Sequence, residues 1–221
     1  MTTQFILGSR SPRRRDLLGL VVPPDQIVVL PPRDTTEAEF DGLHDMSAIQ
    51  SRLVEIAAKK FADVSKQLAA TNSGAHQPLQ QVVIAADTTI VTKRDDGVLH
   101  VLGQPPADAA WKDVVRAWFR DHFAGRTHVA LTSLHVGILG GQIIERIVST
   151  EVGFIADVDR HLNWYIETGE PRGKAGGYAL QGAGSIFISH VAGSLSNVIG
   201  LPLEALLDCF RELQIHVDGN D

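Results

Sequence analysis

The sequence predicts an α/β fold with a mixed sheet flanked by helices. Two observations carry this. Short apolar runs with strand character alternate with stretches of helical period along the whole chain. Hairpin signals also occur, at Asp95-Asp96-Gly97 and at Gly140-Gly141, and a purely parallel sheet would lack them.

The elements follow in order. Residues 4–8 read as a strand and 12–19 as a helix, with Ser11 suited to the N-cap and Pro12 to the first helical position. Residues 26–31 read as a second strand, ended by Pro31-Pro32. The segment 32–46 is polar and acidic, with Asp34, Glu37, Glu39 and Asp41. Residues 47–69 carry Ile49, Leu53, Ile56, Ala57 and Phe61 at helical spacing. Residues 70–80 are rich in turn formers and read as a flexible loop. Val82 to Val91 form an apolar strand interrupted only by Asp87-Thr88-Thr89. A helix over 108–122 aligns Trp111, Val115, Trp118 and His122. Strands 127–138 and 142–154 make a hairpin. Asp157–Thr168 is a helix stopped by Gly169. The glycine-rich loop 173–177, a strand over 185–191 and a helix over 202–213, opened by Pro202, complete the chain. The 221 residues suffice for one sizeable core or two small domains; a single domain over 1–221, in one body or in two lobes around a central cleft, is expected.

Composition narrows the function. Hydrophobic residues make up 44% and charged residues 21%, ordinary values for a globular protein. The net charge of -6 argues against a nucleic-acid surface. The single cysteine permits no intramolecular disulfide and no thiolate cluster. No apolar run is long enough to span a membrane, and no signal peptide is recognisable, so a cytoplasmic protein is expected.

Against this acidic background, Gly8-Ser9-Arg10-Ser11-Pro12-Arg13-Arg14-Arg15 stands out. It offers backbone N–H groups, hydroxyls and guanidinium groups at a helix N-terminus, a good place for phosphate. Read alone, such a motif is more often a solvated basic turn. Asp87 is the sharpest single residue, because a carboxylate within an apolar strand is costly unless it is paired or bound to a metal. It could also simply begin a turn. Asp34 and Glu37 offer further carboxylates for Mg²⁺, a cation that favours oxygen ligands. Lys59 offers a cation, although Lys59-Lys60 would also suit a solvated helix face. Lys174 lies in the glycine-rich loop, and Gln181 can donate to and accept from the amide edge of a pyrimidine. His128 and His135, seven apart on one strand, fall on opposite faces and read as structural.

These pieces together resemble the Maf family of nucleoside triphosphate pyrophosphatases. The likeness rests on Gly8-Ser9-Arg10-Ser11-Pro12-Arg13-Arg14, Ala86-Asp87-Thr88-Thr89-Ile90-Val91 and Gly125-Arg126-Thr127-His128. It continues through Tyr165 to Pro171 and Lys174-Ala175-Gly176-Gly177-Tyr178, then Gln181-Gly182 and Asn197 to Leu203. The resemblance implies an elongated fold like that of the inosine triphosphate pyrophosphatases. It implies hydrolysis of a nucleoside triphosphate to the monophosphate and pyrophosphate, with a divalent metal (Mg²⁺ or Mn²⁺), and a homodimer. It assigns Ser9, Arg13 and Arg14 to the triphosphate, and Asp87 to the metal or the water's proton. Lys59 becomes the helix lysine, Asp34 or Glu37 the second acidic residue, and Arg13, Thr88 and Gln181 the residues of base choice. Lys174 and Gln181 point to the branch acting on dTTP and UTP. Gln104 and Gly173 stand where the family carries lysine and aspartate. A house-cleaning role toward modified pyrimidine nucleotides, and a nucleotide-binding regulator of cell division with little turnover, are the alternatives the resemblance carries.

Overall fold

The computed structural model describes residues 3–34, 40–71 and 80–217. Its core is a seven-stranded mixed sheet in the order β2-β1-β3-β5-β6-β7, with β4 also paired to β3. The strands are β1 Thr3–Leu7, β2 Ile27–Val29, β3 Gln80–Lys93, β4 Leu99–Leu102, β5 Thr127–Ile138, β6 Ile143–Phe154 and β7 Ile188–Ala192. The helices are α1 Pro12–Leu18, α2 Met46–Thr71, α3 Trp111–Trp118, α4 Asp159–Glu167, α5 Leu195–Ile199 and α6 Leu203–Glu212. β2, β1 and β3 run parallel; all other pairings are antiparallel. At about 3.3 Å per residue, the 14 residues of β3 span roughly 45 Å, so the sheet is long. The expected α/β class with a mixed sheet and flanking helices is therefore what the chain forms.

Alternation along β3 sorts its side chains. Val82, Ile84 and Ala86 join Leu17 and Leu18 of α1 and Leu206, Cys209 and Phe210 of α6 on one face. Val83 and Ala85 meet Phe61, Val64 and Leu68 of α2 on the other. Farther along, Ile90 belongs to an aromatic cluster with Phe119, Phe123, Phe154, Tyr165 and Phe187, whereas Val91 packs with Ile49 and Leu53 of α2. Buried apolar surface thus grips β3 on both faces at both ends.

The middle of β3 differs. On one edge β5 pairs continuously from Val82 to Val91. On the other, β1 stops at Ile84 and β4 begins at Ile90. Residues 85–89 therefore have no strand partner on that edge among the described residues. Asp87 lies at the centre of this gap.

Several boundaries differ from the sequence reading. β3 runs straight through Asp87-Thr88-Thr89, because β5 pairs with all three and the strand needs no break. The helix expected from 108 begins at Trp111: Asp108 instead forms a turn, its carboxylate accepting from the Ala110 N–H at 2.9 Å. That helix closes in a π-type turn, Phe119–Phe123, which buries both phenylalanines. The strand expected from 185 begins at Ile188, after a 3-10 turn over Ala183–Phe187. Helix α5 was not foreseen; five residues are too few for a periodic signal. Most of the loop expected over 70–80 lies outside the described residues.

Candidate active site

The basic turn forms as its local chemistry dictates. Ser11 caps α1 with Pro12 in its first turn. Ser9 is buried, and its hydroxyl accepts from the Ser11 N–H at 3.1 Å. The arginines diverge. Arg10 donates to the Pro32 carbonyl at 2.8 Å and ties the turn to the segment after β2. Arg15 is exposed. Arg13 and Arg14 both line a cleft of about 1540 Å³ that opens at the gap beside β3.

Arg14 is held by the protein through its whole fork. Its Nε donates to the Gly200 carbonyl at 2.7 Å, Nη1 to Ser9 at 3.3 Å and Nη2 to Thr88 at 3.1 Å. Thr88 also exchanges a hydrogen bond with Thr132 at 2.9 Å. Helix α5 delivers the Gly200 carbonyl. It is pinned by Asn197, a fully buried residue whose amide donates to Ala130 and Val148 carbonyls and to Thr150. Arg14→Lys keeps the charge but not the fork. It is expected to lower kcat/KM for the substrate about tenfold or more, with circular dichroism unchanged; steady-state kinetics checks this.

Asp87 projects from the opposite face of β3, toward α2. There Lys60 donates to its carboxylate at 2.5 Å, with the two side chains only 20% and 16% exposed. The resemblance names Lys59 as the helix lysine; the lysine that meets Asp87 is its neighbour. Lys59 lines the same cleft but is exposed, one residue and about 100° around the helix from Lys60. Asp34 also lines the cleft. Its segment is fixed by Asp63 of α2, whose carboxylate accepts from the N–H groups of Arg33 and Asp34, both at 3.0 Å. Those backbone donors hold the Asp63 carboxyl below its ordinary range. Nothing in the sequence singled out Asp63. Glu37 lies outside the described residues.

The late loop completes the wall with Lys174 and Gln181. It is packed rather than loose. The Gly176 N–H donates to the Gly103 carbonyl at 3.0 Å, and the Gly176 backbone has φ +67°, which strains a side chain, with Ile90 and Phe123 packed close against it. Tyr178 is buried and its hydroxyl meets His128 Nε2 at 2.8 Å. His128 is therefore a core residue, and burial depresses its pKa to about 3. Lys174 donates to the backbone carbonyl of Glu170. Burial lowers its pKa, and the nearby Arg13 adds to the effect. Arg13 is likewise lowered by burial, while the Glu170 carboxylate acts in the opposite direction. Gln104 lines the cleft as well and is exposed.

One cleft thus gathers Ser9, Arg13, Arg14, Thr88, Asp87, Lys59, Asp34, Lys174 and Gln181. Alternation puts Asp87 and Thr88 on opposite faces of β3, and the missing ladder lets both reach the same space. Cations and hydroxyls on one side face a lysine-paired carboxylate on the other. Such a site can grip a polyphosphate and direct a water at it.

Residues 4–213 match the family described as Maf-like protein. The chain belongs to this family. Relatives of this Maf-like chain include a dTTP/UTP pyrophosphatase of Anaeromyxobacter dehalogenans (strain 2CP-C), 34% identical over 207 residues, covering 92% of this chain and 90% of that protein. Another dTTP/UTP pyrophosphatase, of Cereibacter sphaeroides, is 38% identical over 200 residues, covering 90% and 89%. A third, of Pyrococcus horikoshii, is 32% identical over 204 residues, covering 92% and 94%. A solved nucleoside-triphosphatase / dITP/XTP pyrophosphatase from Mycobacterium abscessus aligns with 96% of each chain at 11% identity and a TM-score of 0.39, a distant likeness. No helix among the described residues of this Maf-like chain is long and apolar enough to cross a membrane.

Proposed function

We propose that this protein is a nucleoside triphosphate pyrophosphatase acting on dTTP and UTP, releasing the monophosphate and pyrophosphate. The observation that carries the reading is the convergence of the Arg13–Arg14 turn and the Asp87–Lys60 pair on one cleft. The relatives named dTTP/UTP pyrophosphatase support the reaction and the pyrimidine preference.

In this reading Ser9, Arg13 and the N-terminal amides of α1 bind the triphosphate, and Lys174 adds charge from the far wall. Arg14, fixed by Gly200, Ser9 and Thr88, holds the turn in register and adds its field to the cleft. Asp87 orients a water for in-line attack on the α-phosphorus and accepts its proton. Lys60 keeps that carboxylate aimed into the gap. Lys59, at the rim, contributes charge. Gln181 and Thr88 read the base, Gln181 through both functions of its amide.

The residues also fit a divalent cation. No three His, Cys, Asp or Glu residues gather as a ligand cluster among the described residues. Magnesium needs no such cage, because it binds through one or two carboxylates together with substrate phosphates and waters. Asp87 and Asp34 line the cleft and would hold it, with Glu37 as the alternative second carboxylate. When bound, Mg²⁺ or Mn²⁺ would neutralise charge building on the phosphoryl oxygens.

A cytoplasmic homodimer with one two-lobed domain per chain is part of the same proposal, and size-exclusion chromatography tests the dimer. A second reading, a nucleotide-binding regulator with little turnover, draws on the uncharged Gln104 at the cleft. Pyrophosphate release from natural and modified triphosphates, with and without Mg²⁺ or Mn²⁺, separates the two. UTP and dTTP should be cleaved with a divalent cation present. No release from any triphosphate would sink the enzymatic reading, and preference for a modified base would redirect it to nucleotide house-cleaning.

A further inference from the structure

Glu170 stands just past α4, at the base of the late loop, and its carboxylate accepts from three donors. Oε2 accepts from the Ala183 N–H at 2.7 Å. Oε1 accepts from the Gly184 N–H at 2.9 Å and from the Tyr165 hydroxyl at 3.2 Å. The same hydroxyl lies 3.1 Å from the Gly177 carbonyl, so its one proton is shared between the two acceptors. Gly182 is the residue between Gln181 and these amides. A Cβ there would fall 2.2 Å from Glu170 Oε2, so the carboxylate occupies the space a side chain would need. The carboxylate therefore anchors the segment immediately after Gln181, while the Glu170 backbone carbonyl receives Lys174.

We propose that Glu170 is a positioning residue that sets base selectivity, by fixing the backbone from Gly182 to Gly184 and with it the reach of Gln181 into the cleft. This rests on the pyrimidine-directed pyrophosphatase reading above. Here the two consecutive N–H groups take one carboxylate oxygen each. Only a carboxylate supplies both at this reach; a glutamine would turn its NH₂ toward one of the two amides. Gln181 sits one residue from Gly182, so a displaced anchor displaces the group that meets the base.

Glu170 also lies near Arg13 and Lys174, so removing its charge alters the field felt by any triphosphate. That change is common to all bases and cancels in a ratio of two substrates. A loss of folded enzyme cancels in the same way. The test is therefore the ratio of kcat/KM for UTP to that for GTP, measured for the full chain and for Glu170→Gln, with amide hydrogen exchange read over residues 181–185. The ratio is expected to fall about tenfold or more, since small displacements of a recognition group carry costs of that size. The Ala183 and Gly184 amides should exchange faster while β3 and β5 stay protected. Gly182→Ala, which pushes the carboxylate aside without removing its charge, should lower the ratio in the same direction. The double variant should be little worse than either single one. An unchanged ratio in Glu170→Gln, or unchanged exchange at Ala183 and Gly184, overturns the proposal. A wild-type ratio near one overturns the pyrimidine reading instead, and the exchange result then still decides whether Glu170 is the anchor.

Discussion

Asp87→Asn should reduce pyrophosphate release about a thousandfold or more while leaving the fold intact. The change is nearly isosteric and removes only the negative charge and the capacity to take a proton, a capacity that accounts for roughly 10²–10⁴ in rate where it is used. The strand around it does not depend on it. Residues 82–86 are buried on both sides, and β5 pairs through the position regardless of side chain. Lys60→Met should follow with a large loss in kcat, because Lys60 is the group that holds the carboxylate. Lys59→Met should act more weakly and mainly on KM, since Lys59 only lines the rim. Steady-state kinetics with UTP and thermal melts of the three variants check this set. Wild-type turnover in Asp87→Asn would remove the aspartate from the chemistry, and a larger effect at Lys59 than at Lys60 would reverse the assignment of the lysines.

Acid should destabilise the protein from about pH 6.5 downward, with His128 as a principal cause. In the folded chain this imidazole sits between Phe123, Phe154 and Tyr178, and burial lowers its pKa from 6.5 to about 3. The unfolded chain takes up the proton first. The unfolded state therefore binds more protons throughout this interval, so stability rises with pH and is lost as pH falls. One such group contributes about 1.4 kcal/mol per pH unit, hence roughly 2 kcal/mol between pH 6.5 and 5. His122 and His135, both lowered by burial, add in the same direction. Urea unfolding at pH 7.5 and pH 5 measures the difference. His128→Phe should flatten the slope by about the amount given, and an unchanged slope would show that the imidazole takes no part.

Much of the site was legible because its parts are local. Ser11-Pro12 starts a helix wherever it follows a strand and turn, and a carboxylate within Val82–Val91 is anomalous without any structure. The choice between Lys59 and Lys60 was also open to the sequence, through helical phase. Ile56, Lys60 and Val64 are four apart and share one row, with Ile56 and Val64 buried. Glu55, Lys59 and Asp63 make a wholly polar row. Reading the phase of the apolar stripe through the lysines would have put Lys60 on the inner side. Asp63, Glu170 and Asn197 could not be found this way. Each acts on backbone that is distant in sequence: Asp63 on Arg33 and Asp34, Glu170 on Ala183 and Gly184, Asn197 on Ala130 and Val148. Their partners exist only once the sheet has formed. Helix α5 escapes for another reason: its five residues are too few to carry a repeating pattern.

The interrupted ladder beside residues 85–89 has a bearing on solubility as well as on chemistry. An unpaired strand edge ordinarily invites another chain to add to it, and proteins guard against such edge-to-edge aggregation. Here the open stretch is bounded by β1 at Ile84 and by β4 at Ile90, leaving about 20 Å between them. A foreign strand long enough to bind firmly would collide with one of these neighbours, whereas a small compact molecule would not. Only Asp87 and Thr88 of that stretch are part-exposed, so the molecule keeps a narrow opening in mid-sheet and still denies it to polymerisation.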